Sequence, residues 1–212
     1  RAPLVMTSAN RGGSPIVFRD GDLGWIDGLY DGVLSHDRPI HVPCEDSVLA
    51  LDDDGAPVPV RQSRDYAPLP MTVPGIAADA VILATGGDLK TTFCLMAPDG
   101  RAHLSAHLGD MSDPRTQAAF ESALAHLAFM TDRRPRSIAC DLHPDYASTR
   151  QAKASGLPVT AVQHHFAHIV AVMAEHGLED DVLGVAWDGT GHGTDGTVWG
   201  GEFLLATRET FT

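Results

Sequence analysis

The chain has 212 residues, of which 43% are hydrophobic, and a formal net charge of −13. This length and composition allow one full hydrophobic core, or a small core plus part of a second. The basic residues are scattered, which excludes an electrostatic nucleic-acid surface. No apolar run approaches the roughly 20 residues that span a bilayer. We therefore expect a soluble globular protein with neither a nucleic-acid nor a membrane partner.

The cysteine pattern indicates a reducing compartment. Cys44, Cys94 and Cys140 are odd in number, far apart and form no C-x-x-C pair, unlike the cysteines of a disulfide framework. The N-terminus also lacks the basic-then-apolar order of a signal peptide. We therefore expect a cytoplasmic protein, and, because the chain begins with Arg1 rather than Met, a fragment of something longer.

The first sixty or so residues alternate short β-like runs with turn clusters. PIHVP and SVLALD predict strands, whereas RGGSP and DDDGAP predict turns. Three prolines, Pro68, Pro70 and Pro74, then predict a linker over residues 68–79. This divides the chain into a first part, residues 1–67, and a second part, residues 80–212.

The second part predicts three strands and then alternating helices and strands. The strands are VILATG, TTFCLMAP and RAHLSAHLG, and SDPRTQAAFESALAHLAFM predicts a helix with Asp113 as N-cap and Pro114 at its first position. SIACDL, DYASTRQAKAS and PVTAVQ predict strand, helix and strand. VQHHFAHIVAVMAEHGL predicts a helix that stops at Gly177, before the closing strands VLGVAWDGTG and VWGGEFLLAT. This order predicts a mixed α/β core.

Histidines at helical spacing form the first candidate site. On a helix, His164 and His168 share a face and are able to hold one metal ion. Asp188, at the end of an apolar run, would add a carboxylate, and two histidines with one carboxylate suit Fe²⁺ or Zn²⁺. Alternatively, these histidines form hydrogen bonds within a core. A zinc protease is excluded, because His165 stands where H-E-x-x-H requires the general-base glutamate.

Two glycine-rich segments form the second candidate site. Asp188–Gly201 holds six glycines interleaved with threonines, and ATGGDLKTTF places Gly86, Gly87 and Lys90 between two strands. Glycines let backbone N–H groups approach a phosphate closely. The alternative for the longer segment is a β-hairpin with glycine turns. No Walker A motif occurs, which excludes a P-loop.

The third candidate site lies in the first part, in TSAN at residues 7–10 and RQSR at residues 61–64. Their hydroxyl, amide and guanidinium groups are suited to hold a triphosphate or an acyl phosphate. Taken alone, they are also ordinary surface or turn residues.

Seven motifs, in this order, resemble the HypF carbamoyltransferase family: PLVMTSANRGGSPI, CEDSVLALDDDGAPVPVRQSRDYAP, GGDLKTTFCL, SAHLGDM, DLHPDYAST, VQHHFAHIVAVMAEHGL and WDGTGHGTDGTVWGGEF. They span nearly the whole chain. The resemblance implies that residues 1–67 are the C-terminal part of a YrdC-like α/β domain. Residues 80–212 are then the first part of a threonylcarbamoyl-transferase-like domain, with the actin/Hsp70-like (ASKHA) α/β fold and a mixed sheet.

The resemblance implies an enzyme of [NiFe] hydrogenase maturation. Such a carbamoyltransferase forms carbamoyl adenylate from carbamoyl phosphate and ATP, and passes the carbamoyl group to the C-terminal cysteine thiol of a HypE-like acceptor protein. The implied cofactors are ATP, Mg²⁺, and Fe²⁺ or Zn²⁺.

The motif matches also imply roles for residues. Ser8 and Asn10 match the S-x-N half of the YrdC-like nucleotide signature and are the catalytic residues that the resemblance implies in the first part, with Thr7 beside them as a nucleotide-binding residue; the K-x-R half is missing from this chain. The residues that match the closing R-x-S-R element are Arg61, Ser63 and Arg64. Gln62 and Asp65 depart from its usual R-R-S-R-G form, and Asp65 adds negative charge near the phosphate site.

In the second part, His164, His168 and Asp188 match the family's metal ligands, and His164 and His168 are the expected catalytic residues there. The nucleotide-binding residues implied by the two glycine segments are Gly86, Gly87, Lys90, Asp188, Gly189, Thr190 and Gly191. His165, on the adjacent helix face, is expected to be structural or to support the ligands.

Two other functions stay open at this point. An O-carbamoyltransferase acting on a small-molecule hydroxyl shares both domains, but the YrdC-like part comes first here, which favours the HypF type. The missing K-x-R half instead favours a truncated, non-catalytic nucleotide-binding module.

Overall fold

The computed structural model describes residues 3, 6–76 and 78–212; Leu4 and Val5 of the first motif lie outside them. Its N-terminal part contains a 3₁₀ helix, Asp20–Ile26, and an antiparallel hairpin of β1, Val48–Leu51, and β2, Pro57–Arg61. DDDGAP forms the turn, where the Asp52 carboxylate accepts the N–H of Ala56 at 2.7 Å. The strand predicted over PIHVP is wrong: this run is irregular, because a proline at each end removes a backbone donor.

A six-stranded mixed sheet forms the centre of the second part. Its strands are β3, Pro70–Thr72; β4, Ile82–Ala84; β5, Cys94–Met96; β6, Arg101–Leu104; β7, Ser137–Asp141; and β8, Val159–Val162. Their order across the sheet is β3-β6-β5-β4-β7-β8. The neighbouring pairs β3–β6, β6–β5 and β5–β4 are antiparallel, whereas the pairs β4–β7 and β7–β8 are parallel. The predicted mixed α/β core is therefore present.

The segment predicted as a linker, residues 68–79, contains a strand. β3 pairs with β6, and the carbonyl of Pro68 lies 2.9 Å from His103 Nδ1. An edge strand forms ladder hydrogen bonds on one side only, so it tolerates proline. The prolines indicated a linker because sequence alone does not distinguish an edge strand from a break.

Helix α1, Pro114–Thr131, covers the apolar core next to the sheet. As predicted, Asp113 caps it by accepting the N–H of Arg115 at 2.9 Å, and Pro114 takes the first position. Phe120 and Leu127 lie on its inner face and are buried in this core. Helix α2, Ala147–Ala154, follows β7, as the pattern predicted.

The C-terminal part consists of α3, His164–Glu175, packed on the antiparallel hairpin of β9, Val182–His192, and β10, Val198–Ala206. Ile169 and Met173 of α3 are buried against this hairpin. Gly177 ends the helix region with a φ of +64°, and the N–H of Leu178 donates back to the Met173 carbonyl at 2.8 Å. Among the described residues, no helix is both long and apolar enough to cross a bilayer.

Two adjacent glycines after β4 differ in what they require. Gly86 has a φ of +70°, and an added Cβ would lie 2.7 Å from the backbone oxygen of Thr92. Gly87 has no such φ, and an added Cβ would meet other atoms only at 4.0 Å. We therefore predict that Gly86→Ala lowers the free energy of unfolding by about 2 kcal/mol or more. Gly87→Ala, the matched control, should change it by less than about 0.5 kcal/mol.

Urea unfolding of both variants measures the difference. Equal stability of the two variants would contradict the assignment of Gly86 as the structurally required glycine.

Candidate metal centre

The two predicted histidine ligands lie in the first turn of α3. Their Nε2 atoms are 3.2 Å apart, as the spacing of four residues allows. Gln163 fixes the start of the helix, because its side-chain oxygen accepts the N–H of Phe166 at 2.8 Å. The helix cap therefore sets the position of His164 and His168.

Asp188 of β9 completes the group. Its Oδ2 lies 2.7 Å from His164 Nε2 and 3.7 Å from His168 Nε2. One ligand atom from each of the three residues lies within 4.8 Å of the other two. Two imidazole nitrogens and a carboxylate oxygen form a donor set that suits Fe²⁺ or Zn²⁺. The structure thus brings the three predicted ligands together, and metal binding itself stays a prediction.

Asp141, at the end of β7, orients this group and was missed in the sequence. Its Oδ2 lies 2.6 Å from Nδ1 of His164, so that ring nitrogen donates to the carboxylate and Nε2 is left for a ligand. Carboxylates commonly hold metal-binding histidines in this way. The available signal was that Asp141 lies near the end of a predicted strand and is the first residue of the DLHPDYAST motif.

The electrostatics follow from these contacts. The hydrogen bond to Asp141 raises the pKa of His164, whereas desolvation and the neighbouring His164 lower the pKa of His168. Partial burial opposes ionisation of Asp188, but the Gly189 N–H and His164 lower its pKa overall. The site thus combines an ionised carboxylate, one imidazole with increased proton affinity and one with reduced proton affinity.

The turn after β4 borders this group. A Cβ at Gly87 would lie 4.0 Å from His164 Cε1, so the predicted phosphate-binding turn adjoins the metal ligands. The backbone N–H of Lys90 instead donates to Asp110 at 2.9 Å. Asp88 of the same turn, which no local sequence signal marks, caps α2 by accepting the N–H groups of Ala147 and Ser148 at 2.8 and 3.0 Å.

The glycine-rich segment after Asp188 is a hairpin. Gly189, Thr190 and Gly191 continue strand β9, and the turn lies at residues 193–197. An added Cβ at Gly191 would lie 2.4 Å from His165, so packing explains this glycine. His165 is fully buried beneath it and is not part of the group formed by the three candidate ligands; its supporting role stays a prediction. Phosphate binding by this segment stays a prediction.

The predicted nucleotide residues of the first part organise turns. Thr7 is exposed; the Ser8 hydroxyl donates to Asn10 Oδ1, and Asn10 Nδ2 donates to the carbonyl of Ser14 at 2.8 Å. Ordering of this turn is therefore the observed role of Asn10.

The R-x-S-R element is folded against its neighbours. Arg61 pairs with Glu45 at 3.5 Å and Arg64 with Asp46 at 3.7 Å; both arginine side chains are exposed, whereas Glu45 is partly buried. Ser63 is fully buried, and its N–H donates to the Ser47 hydroxyl at 2.8 Å. Because it is buried, the Ser63 hydroxyl is not accessible to a ligand that binds from solvent.

Within the described part of the chain, no hydrogen bond or ion pair joins Ser8 or Asn10 to the R-x-S-R element. Burial lowers the pKa of His107, and the charges of Glu45, Arg61 and Lys90 also act on this imidazole. Arg61 and Lys90, predicted to bind nucleotide from separate parts, therefore both contribute to the electrostatic environment of one side chain.

Comparison with known proteins identifies the family. The model of the HypF Kae1-like domain matches residues 77–175, and that of the second subdomain of the carbamoyltransferase Kae1-like domain matches residues 184–212. The carbamoyltransferase HypF of Synechocystis sp. is 48% identical over 213 residues, which cover 100% of this chain and 27% of that protein. The HypF of Rhizobium leguminosarum bv. viciae is 44% identical over 207 residues, 96% of this chain and 26% of that protein. The chain therefore spans about a quarter of the length of these curated relatives.

Solved structures show the same likeness. Full-length HypF in the phosphate- and nucleotide-bound form matches with a TM-score of 0.89 and 37% identity, over 97% of this chain and 27% of that one. HypF of T. kodakarensis matches with a TM-score of 0.81 and 35% identity, over 94% of this chain and 26% of that one. These matches confirm the predicted mixed α/β fold class and its Kae1-like part, while the boundaries at residues 67 and 80 stay predictions. The chain belongs to the HypF carbamoyltransferase family.

Proposed function

We propose that this chain is part of a carbamoyltransferase of [NiFe] hydrogenase maturation. The enzyme forms carbamoyl adenylate from carbamoyl phosphate and ATP in the presence of Mg²⁺, and transfers the carbamoyl group to the C-terminal cysteine thiol of a HypE-like acceptor in the cytoplasm. The observation that carries this proposal is the group of His164, His168 and Asp188, oriented by Asp141, in a chain that matches HypF along nearly its whole length.

In the proposed transfer step, the acceptor thiolate attacks the carbamoyl carbon. A C–S bond forms, the C–O bond to the phosphate breaks, and AMP leaves with the bonding electrons. Fe²⁺ or Zn²⁺ held by His164, His168 and Asp188 would supply Lewis-acid polarisation of the carbamoyl carbonyl. The Asp141 carboxylate keeps the His164 proton on Nδ1, so Nε2 faces the other two ligands.

Two of the chain's three cysteines are poorly suited to be the acceptor, whereas Cys44 is exposed. Burial raises the pKa of Cys94 to about 11 and also raises the pKa of the buried Cys140. Thiolate is the nucleophilic form, so both are unreactive near neutral pH. This supports an acceptor thiol other than Cys94 and Cys140.

For adenylate formation, we propose that Thr7, Ser8, Asn10, Arg61 and Arg64 contact phosphate groups of ATP or carbamoyl phosphate. The exposed guanidinium groups of Arg61 and Arg64 favour this role, because each would exchange a weak surface ion pair for a phosphate. The buried Ser63 would support the β1–β2 hairpin rather than contact the nucleotide.

We predict that His168→Ala abolishes stoichiometric Zn²⁺ binding, because it removes one of three ligands. His176→Ala, at the end of the same helix and outside the group, should bind Zn²⁺ as the wild type does. Elemental analysis after dialysis measures bound zinc. Retention of one zinc per chain by His168→Ala would refute this ligand set.

We predict that Asp141→Asn weakens Zn²⁺ affinity by about 10–100-fold at about pH 8, because His164 loses its orienting carboxylate. Asp145→Asn, in the following loop, is the matched control and should leave the affinity unchanged.

The pH dependence gives a second measurement on the same variants. The pKa of His164 is raised above its ordinary value of 6.5, so protons already compete with the metal for this imidazole above pH 6.5. The wild-type affinity for Zn²⁺ therefore falls as the pH falls through that range. Asp141→Asn should move this decline to lower pH. Competition titrations with a chelating dye measure both effects, and an unchanged pH profile would contradict the role of Asp141.

We predict that His168→Ala abolishes carbamoyl transfer but spares most carbamoyl adenylate formation. A chimera in which this chain replaces the matching segment of the Synechocystis carbamoyltransferase HypF supplies the remaining segments. Mass spectrometry of the acceptor measures transfer, and carbamoyl-phosphate-dependent exchange of pyrophosphate into ATP measures adenylation. Unchanged transfer in His168→Ala would overturn the role of this group, and nucleotide binding without exchange in the wild-type chimera would favour a non-catalytic module.

A further inference from the structure

A tyrosine ring lies beside the candidate metal ligands. A Cβ added at Gly87 would lie 4.0 Å from both His164 Cε1 and Tyr146 Cε2. The Tyr146 ring and the His164 ring therefore both lie next to the position where Gly87 lacks a side chain. The motif DLHPDYAST contains this tyrosine, but neither the metal group nor the proposed step uses it.

The absence of a side chain at Gly87 has no conformational cause. Unlike Gly86, it does not have the positive φ that requires glycine, and a Cβ would contact both rings at ordinary van der Waals distance. A side chain there would occupy the position next to both rings. This arrangement fits a cleft that admits a ligand next to the metal group.

The tyrosine ring is held rigidly. His143 stacks on it with ring centres 4.2 Å apart and an angle of 7° between the planes. The His143 backbone N–H donates to Asp141 Oδ1 at 2.8 Å, and the Asp145 N–H donates to His143 Nδ1 at 3.2 Å. Asp141 therefore orients both His164 and the residue that supports Tyr146.

The surroundings of the phenol favour its protonated form. Partial burial and the charges of Asp141, Asp88 and Asp188 raise the pKa of Tyr146. The hydroxyl therefore remains a neutral hydrogen-bond donor throughout the physiological range. A neutral hydroxyl next to these carboxylates is suited to donate a hydrogen bond to an oxygen of a phosphate ester.

We propose that Tyr146 is a ligand-positioning residue of this cleft. Its phenol donates a hydrogen bond to a phosphate oxygen of a nucleoside monophosphate ester bound between Gly87 and the His164–His168–Asp188 group, and His143 holds the ring by stacking. This deepens the proposed function and rests on it, because the carbamoyl adenylate of that proposal is such an ester. Tyr146 is thereby assigned to substrate orientation and not to metal binding.

The test uses AMP as the probe with the Zn²⁺-loaded chain, measured by calorimetric titration. Tyr146→Phe keeps the stacked ring and should weaken AMP binding by about tenfold or more, the loss expected for one hydrogen bond to a charged group. Its Zn²⁺ affinity should equal that of the wild type. Tyr30→Phe, the same chemical change at an exposed position in the first part of the chain, should bind AMP normally.

A second pair of variants tests the stacking. His143→Ala should weaken AMP binding because the ring of Tyr146 is released, whereas His143→Phe should restore it. Unchanged AMP affinity in Tyr146→Phe, or no AMP binding by the wild-type chain, would overturn the proposal. An equal loss of Zn²⁺ affinity in Tyr146→Phe would also overturn it, because it would show a structural role.

The outcome is separable from that for the proposed function. If the wild-type chimera fails to carbamoylate the acceptor while Tyr146→Phe still weakens AMP binding, the proposed reaction fails and the positioning role stands. If the chimera transfers carbamoyl and Tyr146→Phe leaves both AMP affinity and the KM for ATP unchanged, only the positioning role fails.

Discussion

The hydrogen bond between Asp141 and His164 connects the sheet to the candidate metal centre. Asp141 is buried at the end of β7, and its two oxygens serve different elements. One binds His164 at the start of α3, and the other accepts the N–H of His143 in the loop before α2. The orientation of the ligand ring and the conformation of the neighbouring loop therefore depend on a single carboxylate. Its burial makes the dependence strong, because an unpaired charge there would be costly.

The parallel half of the sheet explains why these groups meet. The carboxyl ends of β4, β7 and β8 lie at one edge, and each continues into a part of the site. β4 leads to the Gly86–Gly87 turn, β7 to Asp141, and β8 to Gln163 and α3. Ligands of open α/β sheets commonly bind outside these carboxyl ends. Asp88 connects two of the segments by capping α2 from the turn after β4, which holds the loop that carries Tyr146 against that turn.

Local signals predicted much of this arrangement, and long-range contacts account for what was missed. The N-cap and first-turn proline of α1, the stop at Gly177 and the four-residue spacing of His164 and His168 are properties of short segments, so they are readable in sequence. The contact of Asp141 joins residues 23 positions apart, and β3 depends on pairing with β6. PIHVP has the residue types of a strand but no partner in the described structure, because its flanking prolines remove donors. Pairing between distant segments therefore decided each of these cases.

The sequence also left open whether the glycines of the two glycine-rich segments serve packing or ligand binding. The atoms that an added Cβ would meet distinguish these two cases. Gly184 and Gly191 admit the close approach of Ile169 and His165, so packing accounts for them. Gly189 has nothing within 4 Å of an added Cβ, and Gly87 has only two rings at 4.0 Å. Both glycines lie beside the metal group, Gly87 after β4 and next to His164, and Gly189 directly after Asp188. Other glycines of the described chain also lack close neighbours, so it is the position of these two next to the candidate ligands that is expected if they keep space for a ligand.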